Sequence, residues 1–387
     1  MIAGGGPAGA SCALALARAG RSVTIVERAQ FPRQKVCGEY LNASVLRALD
    51  DLGMGAAARG LGYALDGVRI VVAPLDPLEL RFPEPALALE RATLDSALLD
   101  AAVTAGARLV RGRAEDVVME DGRVSGLAVR DERGDLTAIR ARFAIGADGI
   151  GSLVARRLGL VQTARGKQRF ALGGHYRGFG DLGGCVEMHV GQGAYFALNP
   201  LSGDRTNVMV VVARDRLAQW SATVNDGMRT EAARLAGGRR SFDGVEREGP
   251  RVSIGPLDFR VKRAWAPGAL LAGDAAGFVN PFTGQGVELA LRSGADAAAT
   301  ILAATGDASK EDALLAAYGG RRARELAVRR RSATFVNLLT DVPVLARRAA
   351  ERLRRVPELN DALLAALGAG KTLEAPFVPW RLARLVL

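Results

Sequence analysis

Ile2-Ala3-Gly4-Gly5-Gly6-Pro7-Ala8-Gly9-Ala10, near the head of the 387-residue sequence, reads as strand end, tight glycine turn and helix start. Gly4, Gly6 and Gly9 occupy the glycine positions of a G-x-G-x-x-G fingerprint. The first permits the turn, the second lets a pyrophosphate approach the backbone, and the third lets helix and strand pack closely. From Pro7 and Ala8 onward, free helical N–H groups and the helix dipole meet phosphate charge. Ser22–Val26 is a β-branched strand, and Glu27 ends it near the expected ~20 residues downstream, with Arg28 beside it as a further contact. A carboxylate there suits ribose hydroxyls and repels a 2′-phosphate, so the dinucleotide is FAD or NAD rather than NADP. The opening strand, Met1–Ala3, is short for a buried parallel strand: it is abbreviated, or the true start lies a few residues upstream.

Further along, residues 91–105 read as an amphipathic helix, followed by strand-like Arg108–Gly112, Val124–Arg130 and Leu136–Arg140. Phe143–Ala147 is a buried strand that ends in Gly146-Ala147-Asp148-Gly149. Ala269–Ala272 is another, running into Gly273-Asp274-Ala275-Ala276-Gly277 and then Pro281 and Thr283-Gly284-Gln285-Gly286 at the head of a long helix. An acid at a strand's C-terminal end, such as Asp274, can accept from the hydroxyls of a ribityl chain. The Gly284–Gly286 backbone would aim N–H groups and a positive helix end at an electron-poor ring, helping it accept hydride. Between these motifs, Phe170–Tyr176, Cys185–Val190, Ala194–Leu198 and Asn207–Val212 are short segments separated by glycine-rich turns, the pattern of an antiparallel sheet.

The three motifs together, in this order and spacing over residues 1–300, resemble the para-hydroxybenzoate-hydroxylase-like flavoprotein superfamily. The resemblance implies an α/β fold: a Rossmann-type FAD-binding domain, an inserted antiparallel-sheet substrate domain and a helical C-terminal region. The expected boundaries are 1–68, 86–158 and 256–300 for the FAD domain, 69–85 and 159–255 for the substrate domain, and 301–387 for the helical part. It also implies that Gly4, Gly6, Gly9 and Glu27 hold the ADP half of FAD, that Asp274 meets the ribityl chain, and that Arg91 faces the flavin. Asp148, Gly273, Pro281, Gly284, Gln285 and Gly286 complete the expected cofactor site.

Lys35-Val36-Cys37-Gly38-Glu39 resembles the K-x-C-G segment of the geranylgeranyl-reductase-like branch, which lies near the flavin. That branch's aromatic Y-x-W-x-F-P segment becomes Tyr195-Phe196-Ala197-Leu198-Asn199-Pro200 here. Loss of two aromatics implies a roomier pocket with a polar group, suited to a ring or oxygenated substrate. The halogenase W-x-W-x-I-P segment is missing, because Trp220, Trp265 and Trp380 are scattered. Cys37, Glu39, Tyr195 and Asn199 are the candidate pocket residues. Cys37 is a functional thiol or a small buried residue, and Glu39 a base or a surface carboxylate. The leading expectation is an NAD(P)H-dependent monooxygenase that hydroxylates an aromatic, polyketide or isoprenoid-like molecule through a flavin C4a-hydroperoxide, with NAD(P)H a transient donor. Alkene reduction and a non-enzymatic flavin electron carrier are the alternatives.

Composition bounds the remaining choices. Three dispersed cysteines, Cys12, Cys37 and Cys185, exclude a disulfide scaffold and argue against a structural zinc site; a reducing cytoplasm is the natural setting. The only histidines, His175 and His189, sit in sheet segments and read as core or surface residues. A formal charge of +11 is concentrated in C-terminal arginines from Arg321 to Arg355. A solvated helix face, an anionic inner membrane surface, an acidic carrier protein and a phosphorylated cofactor each account for it; no nucleic-acid module accompanies the charge.

Overall fold

The computed structural model describes residues 1–162, 167–220 and 224–366. Its first sheet has eight strands in the order Trp265–Ala266, Ala269–Leu271, Ala144–Gly146, Ile2–Ala3, Thr24–Glu27, Arg108–Glu120, Arg123–Asp131 and Leu136–Arg140. The five strands from Ala269–Leu271 to Arg108–Glu120 pair in parallel. Ile2, Ile25, Ile145 and Leu271 are fully buried because helices cover the parallel strands, as a parallel sheet requires. The Pro7–Arg18 helix packs on Gly286–Leu302, and Ser11 Oγ donates to the carbonyl of Leu291 at 3.1 Å. The opening strand is two residues long, as its sequence suggested.

The second sheet also has eight strands, in the order Glu246–Ile254, Arg169–Arg177, Arg205–Ala213, Ala194–Pro200, Cys185–Gly191, Tyr63–Val71, Leu78–Ala88 and Tyr40–Leu41. All its pairings are antiparallel except Cys185–Gly191 with Tyr63–Val71. The strand period of two divides its side chains between two environments. Val208, Val210 and Val212 pack under the Val224–Ala236 helix with Met228, Ala232 and Leu235. Met209 and Val211 point to the opposite face, together with Tyr195 and Met188.

Two features depart from the expected layout. The hairpin Tyr63–Val71 and Leu78–Ala88 belongs wholly to the second sheet, so that sheet's share of the chain extends past 69–85 on both sides. Tyr40–Leu41, expected within the FAD domain, pairs with Ala88 and Leu87 at the edge of the same sheet. Beyond residue 301 the described chain is helical, in Ala308–Asp341, Pro343–Arg355 and Glu358–Ala366. Residues 367–387, including Trp380, lie outside the described residues. No helix among the described residues is long and apolar enough to cross a membrane.

Several of the C-terminal arginines are internal ion-pair partners. Arg321 and Arg322 meet Asp296, and Arg329 is buried against Glu288 and Glu325. The Pro343–Arg355 helix buries Ala346, Ala349, Ala350 and Leu353 on the second sheet and turns Arg347, Arg348, Arg354 and Arg355 to solvent.

Candidate active site

Between the two sheets runs a cavity of ≈ 560 Å³ that begins at the glycine turn and ends on the second sheet. At the turn end, Gly9 shows why no larger residue fits: a Cβ there would stand 1.9 Å from the Gly4 carbonyl oxygen. Gly6 faces the cavity, and an added Cβ would meet only the tip of Arg33 at 3.4 Å. Pro7, Ala8 and Arg28 line the same end. Glu27 is buried on the wall, where Oε2 accepts the Gly5 N–H at 2.7 Å and Oε1 the Ala29 N–H at 2.7 Å. Each carboxylate oxygen can accept more than one hydrogen bond, so Glu27 shapes the turn and still has capacity for a ribose.

Asp148 has a double role. Oδ2 caps the Leu153–Arg157 helix by accepting the Leu153 N–H at 2.7 Å, while Oδ1 is buried without a hydrogen-bond partner among the described residues. The buried Tyr40 hydroxyl on the same wall also has none. Buried polar atoms left open in this way mark a place for a polar ligand. Asp274 lines the cavity. Burial pushes its carboxyl up, and the charges of Lys35 and Arg91 hold it down. Gly273, Pro281, Gly284 and Gly286 are on the wall too, whereas Gln285, buried at the N-cap of the Gly286–Leu302 helix, is not among the lining residues. An exposed phosphate-approach turn, open acceptors and an acid at mid-cavity fit a flavin dinucleotide. Glu27, Asp148, Asp274 and the Gly4–Gly9 turn are the residues that would hold it.

The Lys35–Tyr40 loop lies over the middle of the cavity and is held from four sides. Asn207 Nδ2 donates to the Cys37 carbonyl at 3.0 Å and Asn199 Nδ2 to the Gly38 carbonyl at 2.8 Å. Glu39 Oε1 accepts the Arg91 N–H at 2.9 Å, and Glu39 Oε2 lies 2.7 Å from His175 Nε2. Glu39 therefore sits as a carboxylate at the N-terminus of the Arg91–Thr104 helix, where the dipole favours it. It is not a surface carboxylate: it is buried, and each oxygen holds one neighbour of the loop. Burial alone would lower the pKa of His175, but the Glu39 hydrogen bond and charge, with Glu90, carry it upward against Arg205.

Cys37 lines the cavity. Burial pushes its thiol up, and the positive charge of Arg91 and the Glu39 N–H, which donates to Sγ at 3.3 Å, oppose that rise. Arg91 itself is clamped by Asp95, with Nε at 2.7 Å and Nη2 at 2.6 Å. Tyr195 reaches the cavity and donates its hydroxyl to Asn280 at 3.2 Å. Asn199 also reaches it, and its amide nitrogen donates to the Gly38 carbonyl, leaving Oδ1 buried and without a partner among the described residues. Ala171, Met188, Ala197, Met209 and Val211 make the rest of the sheet-side wall almost wholly apolar.

Two important residues escaped the sequence reading. Asn207 is an amide immediately before the apolar run Val208-Met209-Val210-Val211-Val212, and a polar residue leading into a buried strand segment was the available signal. His175 is held to Glu39, 136 positions away, and nothing in local spacing announces that pairing.

The FAD binding domain family matches residues 1–331. The chain belongs to that family. The flavoprotein is 30% identical over 312 residues to a menaquinone reductase of Mycobacterium tuberculosis, covering 76% of this chain and 74% of the relative. A 1H-pyrrole-2-carbonyl-[peptidyl-carrier protein] brominase of Pseudoalteromonas luteoviolacea is 26% identical over 315 residues, covering 78% and 76%. In fold, the flavoprotein superposes on a flavin-dependent brominase with a TM-score of 0.82 at 22% identity, covering 99% of this chain and 96% of the other.

Proposed function

We propose that this FAD-dependent oxidoreductase reduces a carbon–carbon double bond in a bulky, largely apolar substrate. The observation that carries the reading is Cys37. Cys37 is half-buried on the cavity wall, burial raises the pKa of its thiol above the ordinary value, and the nearby Arg91 charge would stabilise the thiolate left when that proton departs. Reduction of an alkene adds a hydride to one carbon and a proton to the other. Bound FAD, itself reduced by NAD(P)H, supplies the hydride. Cys37 Sγ–H supplies the proton and solvent restores it. Glu39, His175, Asn199 and Asn207 keep the thiol in place, and the apolar sheet wall receives the substrate and excludes water. The reading is supported by the 30% identity to a menaquinone reductase.

Hydroxylation of an oxygenated or aromatic substrate is the second reading. It is favoured by Asn199 Oδ1, open and buried beside the space left by Ala197. One experiment separates the two. The holoprotein is reduced anaerobically in D2O and mixed with a polyprenylated naphthoquinone, then with geranylgeranyl diphosphate. Flavin reoxidation without oxygen, with solvent deuterium on both former alkene carbons, is expected, because the N5 hydrogen of a reduced flavin also exchanges with D2O. Cys37→Ala should slow it about a hundredfold or more at unchanged flavin content. Turnover that requires oxygen and adds an oxygen atom to the product would replace this reading with hydroxylation.

A further inference from the structure

Beside the flavin cavity lies a second one of ≈ 280 Å³, and Val211, Leu257, Phe278, Val279 and Pro281 form a wall common to both. Its far side is basic. Arg169 Nη2 pairs with Asp341 Oδ1 at 2.7 Å, and Lys167 Nζ lies 3.7 Å from Asp341 Oδ2. Arg260 Nε pairs with Asp258 Oδ1 at 2.8 Å. These contacts engage both carboxylates of the cavity, and Arg330 is left over. Its Nε and Nη2 are buried, with no hydrogen-bond partner among the described residues.

An unpaired buried guanidinium is costly, and the fold usually supplies a carboxylate to offset it. Arg329, the preceding residue, shows the usual arrangement: it makes three hydrogen bonds at 3.2 Å to Glu288 and Glu325. For Arg330, burial and then the charge of Arg260 lower the pKa, with Asp258 opposing. The third glycine motif is built around the same group. Gly277 has φ +132°, and a Cβ there would stand 2.6 Å from Arg330 Nη2. Without a side chain at 277, the guanidinium can lie against the backbone that leads from the flavin cavity into the second one.

We propose that the smaller cavity is a phosphate-binding subsite, with Arg330 as its principal ligand, for a phosphate carried by a molecule whose apolar part lies in the flavin cavity. Arg169 and Lys167 add positive charge beside it, and Asn280, Asn337 and Thr334 border the same space. The guanidinium fork suits phosphate oxygens in a way a carboxylate-paired arginine cannot offer. The shared apolar wall gives the ligand a continuous path between the two cavities. The ligand's apolar part rests on the reductase reading above. The anion site does not.

The test is calorimetric titration of the flavin-loaded protein with inorganic pyrophosphate. The wild type is expected to bind, and Arg330→Gln to bind about ten- to a hundredfold more weakly. Arg331→Gln removes the same charge from the neighbouring exposed position and should change affinity by less than about twofold. Arg330→Lys, which keeps the charge but loses the fork, should fall between. Because Arg330 Nε and Nη2 have no hydrogen-bond partner among the described residues, Arg330→Gln should keep its flavin and melt no lower than the wild type. Wild-type protein that ignores pyrophosphate, or equal losses from Arg330→Gln and Arg331→Gln, would overturn the proposal.

The source of the phosphate is then read from the two half-reactions. If Arg330→Gln abolishes a preference for geranylgeranyl diphosphate over geranylgeraniol in flavin reoxidation, the phosphate is the substrate's head. If it abolishes a preference for NADPH over NADH in flavin reduction, the phosphate is the donor's. Pyrophosphate binding that depends on Arg330, with neither alkene reduced, would sink the reductase reading and leave the subsite standing.

Discussion

At the glycine-turn end of the cavity, a ligand meets main-chain N–H groups and carboxylates that are themselves fixed by main-chain N–H groups. At the sheet end it meets apolar side chains and a loop whose carbonyls are held by two asparagine amides from distant strands. The first end depends on the absence of side chains in one contiguous hexapeptide. The second depends on particular side chains meeting across 161 and 170 residues of sequence. Substitution can therefore reshape the sheet end without touching the cofactor's phosphates, which is how one flavin platform serves many substrates.

That contrast can be broken most severely at Gly9. Gly9→Val puts atoms where the Gly4 carbonyl already stands 1.9 Å from a Cβ, so the purified protein should carry essentially no flavin. A flavin-to-protein absorbance ratio near the wild-type value would mean the turn tolerates what its geometry forbids. Asp274→Ala comes next. It removes the one acid at mid-cavity and should weaken FAD binding by about ten- to a hundredfold, read by titrating apoprotein. Full flavin retention after extensive dialysis would remove Asp274 from the cofactor site.

The smallest expected effect lies at the sheet end and depends on pH. His175 binds its proton more tightly in the folded chain than its ordinary pKa of ~6.5 allows. The stabilisation from its Glu39 contact is thus fully present below about pH 6.5 and is lost as pH rises through the raised folded value. Between pH ~6 and ~9 the Tm of the wild type should fall toward that of His175→Gln. Parallel melting curves would show that the pair carries no linked proton.

The glycine turn, Asp148 and the strand-then-helix order were legible because each is a matter of local spacing. The Leu78–Ala88 strand was not, because Pro83 and Pro85 interrupt it and a proline cannot donate to a ladder. The structure accommodates them where the pairing with Tyr63–Val71 shifts register between Leu65 and Gly67. Glu39 was legible as important but not in its role, since its partners, the N–H of Arg91 and the ring of His175, are set by packing. Gln285 was read as a cofactor contact from its place between two wall glycines; it is buried at the N-cap position of its helix and is not among the residues that line the cavity.

The Ala308–Asp341 helix is a single element of 34 residues. Tyr318 ties it to the first sheet, donating its hydroxyl to the Leu271 carbonyl at 2.7 Å. Thr340 ties it to the second, its carbonyl accepting the Gly193 N–H at 2.7 Å. At ~1.5 Å of rise per residue these anchor points stand about 33 Å apart on one stiff rod. A tie rod of that kind fixes the gap between the two layers, so the flavin cavity cannot gape like a clamshell to admit its contents. Traffic in and out would then be gated locally, and the Lys35–Glu39 loop, which belongs to no strand and has two carbonyls held by the Asn199 and Asn207 side chains, is a stretch of wall placed to do it.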